Sequence, residues 1–185
     1  MSKKSTTLLI HPSDPSTTFL DIVYAPLEDK TLVTGNMSKR EVNELIKTHD
    51  RVMMMGHGCP TGLFSVGQFI NSYGLIIDHT TVPLLREKEE NIFIWCNADQ
   101  FVNRYDLKGF YSGMFISEVN EAGYCAVYGT DQEIIDESNF GFCNIIAKYI
   151  NETKDIIHEN VTKEYGLIAE NNPVALYNNN RLYKS

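Results

Sequence analysis

Two residues in this chain can make and break acyl bonds, and each closes a short apolar run. Arg51 to Gly58 reads RVMMMGHG and Asn91 to Asp99 reads NIFIWCNAD, so His57 ends the first run and Cys96 the second. Apolar runs of four to eight residues, bounded by polar or glycine signals, are the pattern of strands buried in a parallel sheet. Ligands of such sheets sit in the crevice at the carboxyl ends of the strands. If the two strands are neighbours, an imidazole and a thiol meet at one edge, which is the pairing a cysteine nucleophile needs. Cys59, two residues past His57, adds a metal alternative with His57 and Cys96 as ligands. Zinc needs a fourth ligand, and no CxxC or HxxxH spacing supplies it, so no metal is expected. Without a glycine-rich phosphate loop, no nucleotide or other cofactor is expected either.

The elements that must position these residues follow from the pattern. Residues 6–10 (TTLLI) predict a first strand, followed by the polar loop His11 to Thr17 and by TFLDIVYAPLE, whose type is ambiguous. Residues 31–34 (TLVT) predict a second strand, closed by Gly35. Ser38 and Glu41 have the spacing of a capping box, and Val42, Leu45 and Ile46 make the apolar stripe of a helix ending near His49. Residues 62–78 predict two short strands, GLFSV and GLIID, as a hairpin beside the main sheet. A helical link is expected over Val82–Glu90 and a helix over Phe110–Ala122, stopped by Gly123. A buried strand is expected over Tyr124–Tyr128. A helix over Glu137–Ile150 follows, with Phe140, Cys143, Ile146, Ala147 and Ile150 on one face. Beyond Asn151 a second helix and an asparagine-rich tail are expected. Strand and helix in alternation predict an α/β fold with a mostly parallel sheet, as one domain over 1–185.

Composition narrows the partners. Sixteen basic against 24 acidic residues leave a formal net charge of -8, which repels phosphate backbones and anionic lipid. Neither nucleic acid nor membrane is expected as a partner, and a cationic ligand is favoured. The opening MSKKSTTLLIHPSDP has two lysines but only a three-residue apolar patch, unlike a signal peptide. A cytoplasmic chain with four reduced cysteines is the expectation.

The stretch TLVTGNMSKREVNELIKTHDRVMMMGHG resembles the approach to the catalytic His-Gly of CHAT domains, a branch of the caspase-like (clan CD) cysteine peptidases. VPLLREKEENIFIWCNAD resembles that family's approach to its nucleophile. GMFISEVNEAGYCAVYGTDQEIIDESNFGFCNIIAKYI is similar to its next unit, a helix closing on Ala-Gly, a strand, an acidic turn and a long helix. The resemblance covers residues 31–150, with 151–185 a C-terminal helix and tail. It implies a caspase-like three-layer sandwich with an added small β-hairpin. It also implies that Cys96 is the nucleophile of an endopeptidase, with His57 as general acid and base. The backbone N–H groups of Gly58 and Cys96 would form the oxyanion hole. A peptide or protein is the implied substrate, and a recruiting or activating partner protein is expected. In relatives that cleave after Arg or Lys an acidic residue lines the first specificity pocket. Asp14, in the loop HPSDPST, is the candidate here, with Asp99 and Asp131 competing. Family members often carry a small residue before the cysteine and a glycine soon after it. In this chain Trp95 and Asn97-Ala98-Asp99 take those places, and Trp95 is expected to point into the core from the other face of its strand.

Plainer roles compete at each position. Free cysteines are common core filler, which is the expectation for Cys125 and Cys143. Met53-Met54-Met55 fits a strand interior, and His11 and His79 fit loop positions near the cleft. His158 fits a solvated helix face, and the asparagine-rich tail a surface. Two functional alternatives share the fold: a catalytically idle caspase-like interaction module, and an unrelated α/β hydrolase or small-molecule-binding domain.

Overall fold

Strands covered on both faces bury every side chain, and the central strands of this protein do so. The computed structural model describes residues 6–185. The first residues of the segment weighed as a leader, 1–5, lie outside the described residues. Strand β1 (Thr7–Ile10) is buried throughout and precedes a 3-10 turn (Pro15–Leu20) that runs into the short helix α1 (Asp21–Tyr24). This pair resolves the ambiguous stretch after His11. Strand β2 (Lys30–Val33) follows, then helix α2 (Lys39–Thr48), whose Ser38–Glu41 capping box forms as expected. Strand β3 (Arg51–Met55) is buried at all five positions.

After β3 the chain leaves the main sheet. Strands β4 (Gly58–Cys59), β5 (Gly62–Phe64) and β6 (Leu75–Ile77) make a separate antiparallel sheet of three strands, larger than the two-stranded hairpin expected. Helix α3 covers only Val82–Leu85 of the helical link. Strand β7 (Asn91–Ile94) returns to the main sheet, followed by helix α4 (Ala98–Tyr105), strand β8 (Gly109–Ser112) and helix α5 (Val119–Tyr124). Helices α6 (Gln132–Tyr149), α7 (Lys154–Ala169) and α8 (Pro173–Asn179) and strand β9 (Leu182–Lys184) complete the fold.

The main sheet has the order β2-β1-β3-β7-β8-β9, parallel except for the antiparallel edge strand β9. Alternation along each strand divides its residues between two cores. Leu9, Met53, Met55, Ile92 and Ile94 pack toward α1, α6 and α7. Leu8, Ile10, Val52, Met54, Phe93 and Trp95 pack toward α2, α3 and α4. The protein is thus an α/β fold with a mostly parallel sheet flanked by helices on both faces.

Several expectations fail. The helix expected over Phe110–Ala122 is a strand in its first part, because GFYS is buried between β7 and β9. Gly109 has its Cα so close to Asn91 that a Cβ would lie 2.2 Å from the Asn91 carbonyl oxygen. With that strand position filled, Tyr124–Tyr128 is not a strand but the end of α5 and a turn, leaving Tyr124 and Tyr128 exposed. Gly123 lies inside α5 and does not end it. Finally, the tail is not all surface. Asn172 caps α8, accepting from the N–H groups of Val174 and Ala175. His158 is half-buried, bonded to the Leu182 carbonyl and set against Phe110. On α6, Phe140 faces outward while Phe142 takes the core position. Among the described residues no helix is long and apolar enough to cross a membrane.

Asn178 is fully buried and grips Ile116 from both sides: its Oδ1 accepts from the Ile116 N–H at 2.7 Å and its Nδ2 donates to the Ile116 carbonyl at 2.9 Å. Asn178→Ala strands two buried backbone groups and is expected to lower stability by about 2–4 kcal/mol. The exposed neighbour Asn171→Ala should change it by less than about 0.5 kcal/mol. Urea unfolding of both variants checks the difference.

Candidate active site

Parallel register brings the two reactive residues to one edge. β3 pairs with β7 through Met53↔Ile92, Met54↔Phe93 and Met55↔Ile94. The Gly56 N–H extends the ladder by donating to the Ile94 carbonyl at 3.1 Å. His57 and Cys96 therefore leave the sheet at the same level, and both line one small cavity with Thr17, Phe19, Leu20 and Phe115.

Trp95 goes to the opposite face, as expected. It is buried against Phe93 and Phe101, and its Nε1–H donates to the Cys59 carbonyl at 3.1 Å. Cys96 consequently faces the α6 side. Asn97 then adopts a left-handed conformation (φ 65°, ψ 31°) before α4 begins. Asparagine tolerates that region better than most residues, so it makes the turn that a glycine makes elsewhere. The Asn97 N–H donates to the Gly113 carbonyl, and the Ser112 hydroxyl donates to the Trp95 carbonyl, fixing the turn to β8.

His57 is held by the loop after β1. Asp14 caps the 3-10 turn, accepting from the Ser16 N–H at 2.9 Å and the Ser16 hydroxyl at 2.7 Å. A hydroxyl has one proton. With it given to Asp14, Ser16 Oγ accepts from Nε2–H of His57 at 2.6 Å. The network thus assigns the imidazole proton to Nε2. The Asp14 carboxylate lies 3.9 Å from the same nitrogen, and its pKa is lowered by the two Ser16 bonds. His11 supports this loop from beneath: it is buried, bonded to Tyr24 and Thr17, and desolvation lowers its pKa.

Cys96 is half-buried and closed in by the β8–α5 segment. Its thiol contacts the Phe115 carbonyl at 3.4 Å and Glu121 Oε1 at 3.7 Å. Burial pushes its pKa up to about 12, and the Glu121 carboxylate adds to the rise. At neutral pH the sulfur is therefore a protonated donor, not a thiolate. The other oxygen of Glu121 accepts from the N–H and hydroxyl of Ser117 and from the N–H of Glu118.

Gly58 sits in β4, where the Phe64 N–H donates to the His57 carbonyl. Hydrogen-bonded and non-bonded pairs alternate along an antiparallel ladder. Gly58, paired with Leu63, is thus the non-bonded member, and its N–H points away from β5. Trp95 also requires this glycine, because a Cβ there would lie 2.3 Å from Trp95 Cδ1.

The proposed substrate contacts are placed elsewhere. Asp14 is turned to Ser16 and His57. Asp99 lies in the first turn of α4, where its charge acts on Tyr111. Asp131 caps α6, accepting from the Ile134 N–H. None of the three lines the His57–Cys96 cavity. Cys143 is buried, but Cys125 is only half-buried. Among the described residues no group of ligating side chains could hold a metal ion. Sequence reasoning missed Ser16, Phe115, Ser117 and Glu121. The S-E-V-N-E spacing, which can cap a helix as a capping box does, was the one available signal for Glu121.

No protein-family model and no curated protein sequence matches this chain.

Two outcomes test this geometry. Glu121→Gln keeps an acceptor for Ser117 but removes a charge that raises the Cys96 pKa. Alkylation of Cys96 by iodoacetamide at pH 8 should therefore be faster in the variant, and should rise with pH in both, as followed by peptide mass spectrometry. Gly58→Ala forces a Cβ into Trp95 and is expected to cost about 1–3 kcal/mol in urea unfolding.

Proposed function

We propose that this protein is a cysteine endopeptidase of the caspase-like type, with Cys96 as nucleophile and His57 as proton carrier. The observation that carries the reading is the shared cavity: an imidazole and a thiol leave adjacent parallel strands at their carboxyl ends and line one pocket. The mostly parallel sheet, helices on both faces and added small sheet after His57 are consistent with the fold that the resemblance implies.

In the proposed reaction Cys96 gives its thiol proton to the imidazole of His57 as its sulfur bonds to the carbonyl carbon of a peptide. Gly58 N–H and the Cys96 N–H hold the oxygen as it becomes anionic. The carbon–nitrogen bond breaks as His57 gives a proton to the leaving amine. Water then attacks the thioester and loses a proton to His57, the carbon–sulfur bond breaks, the acid leaves and the proton passes from His57 to the Cys96 sulfur. Ser16 and Asp14 are positioning residues: they orient the imidazole.

The resting thiol has to change partners first. It must leave the Phe115 carbonyl and Glu121 and meet the imidazole, so a substrate or partner that shifts the 115–121 segment activates it. The reading includes an activating partner and a cytoplasmic, reducing setting for the cysteines. The same closed thiol favours a second reading, an idle module that uses the fold for protein interaction.

Cleavage of a mixed peptide library, followed by mass spectrometry, separates the two. The peptidase reading expects products from the wild type, reduced by at least about a hundredfold in Cys96→Ala and His57→Ala. Equal cleavage by Cys96→Ala removes the nucleophile assignment. A wild type inert on the library, whose Cys96 labels no faster than Cys59 or Cys125 at any pH, leaves the interaction module.

A further inference from the structure

A second, larger cavity of about 390 Å³ adjoins the His57–Cys96 pocket, and the two share Phe19 and Ser117 as walls. Its volume falls in the range of small-ligand sites. Three features of its lining point to the same ligand chemistry. Glu118 and Asp136, both half-buried, contribute carboxylates, and no basic side chain is among the lining residues. Asn139 is only 4% exposed. Its Nδ2 is committed to the Ser117 carbonyl at 3.1 Å, while its Oδ1 has no hydrogen-bond partner. A buried amide oxygen without a donor is destabilising, so the site is short of a donor. Phe19 and Phe140 supply aromatic faces, which suit an aliphatic stem and a delocalised cation above it.

We infer that this cavity binds a guanidinium or ammonium side chain, with Glu118 and Asp136 neutralising the charge and Asn139 Oδ1 accepting one of its N–H groups. Its meaning as a substrate subsite rests on the proposed peptidase reading. A peptide with its scissile carbonyl at Cys96 would send the preceding side chain past the shared wall at Phe19 and Ser117. Selection of Arg or Lys would thus come from residues 118, 136 and 139, and not from Asp14 or Asp99. Ser117 links the cavity to the thiol, since it bonds Asn139 on one side and Glu121 on the other.

The test is titration calorimetry of the full chain with N-acetyl-arginine amide and with its neutral isostere N-acetyl-citrulline amide. The arginine compound should bind at one site, at least tenfold more tightly than the citrulline compound. Glu118→Gln and Asp136→Asn should each weaken it tenfold or more, with thermal unfolding of each variant showing that it is folded. Gln132 is an exposed cavity residue whose amide donates to Asp136. Gln132→Lys removes no buried group and should weaken binding by a similar factor, which guards against unfolding of the other two. Cys96→Ser should bind as the wild type does. Equal affinity for the two compounds, no binding of either, or binding unchanged in Gln132→Lys and Asp136→Asn overturns the inference. Selective arginine binding without Cys96-dependent cleavage keeps the cavity and removes the peptidase. Cys96-dependent cleavage with no preference for Arg or Lys does the reverse.

Discussion

Everything at the candidate site depends on the parallel pairing of β3 with β7. Side chains alternate with a period of two along both strands, so the register Met55↔Ile94 fixes the face of each residue beyond it. A shift of one position would exchange Trp95 and Cys96 between the two faces. The indole would then lie against the α6 side and the thiol within the core around Phe93 and Phe101. The bulk of Trp95 and the space that only Gly58 leaves above it therefore specify where the sulfur goes. The unusual bulky residue before the cysteine is a register lock.

The edge reached in this way has different chemistry on its two sides. On the His57 side, the Ser16 hydroxyl accepts from the ring and the Asp14 carboxylate lies 3.9 Å away, so the imidazole is held in one orientation. On the Cys96 side, burial and Glu121 oppose negative charge on the sulfur. The sulfur is thus held as a thiol beside an imidazole whose orientation is fixed. That state lies with the 115–121 segment, because it supplies both groups that contact the thiol.

The sheet strands that carry the two residues were legible because their apolar runs end abruptly at polar residues, and the Ser38 cap because its chemistry is local. Residues 109–128 were not legible. GFYSGMF and YCAVY have similar apolar content, and tertiary placement alone makes the first a strand and leaves the second exposed. The close approach of Gly109 to the Asn91 carbonyl is a contact across the sheet that no local pattern records. His57 and Cys96 could be paired from order and position alone. Ser16, Glu121 and Asn139 could not, since each acts through a neighbour 22 to 41 positions away in the chain.

Those distant contacts form one connected path. Asn178 holds Ile116 by both backbone groups, and α8 is thereby fastened to the segment that covers the thiol. One residue on, Ser117 gives its carbonyl to Asn139 and its N–H and hydroxyl to Glu121, whose second oxygen reaches Cys96. A displacement of Ser117 cannot leave Glu121 in place without breaking these bonds. The carboxylate that resists ionisation of the sulfur is therefore attached to the wall that the two cavities share. In the proposed reaction, loss of that contact would lower the cost of the thiolate. The energetic obstacle and its release reside in the same few hydrogen bonds, and α8, on the far side of Ile116, limits how far the segment can travel.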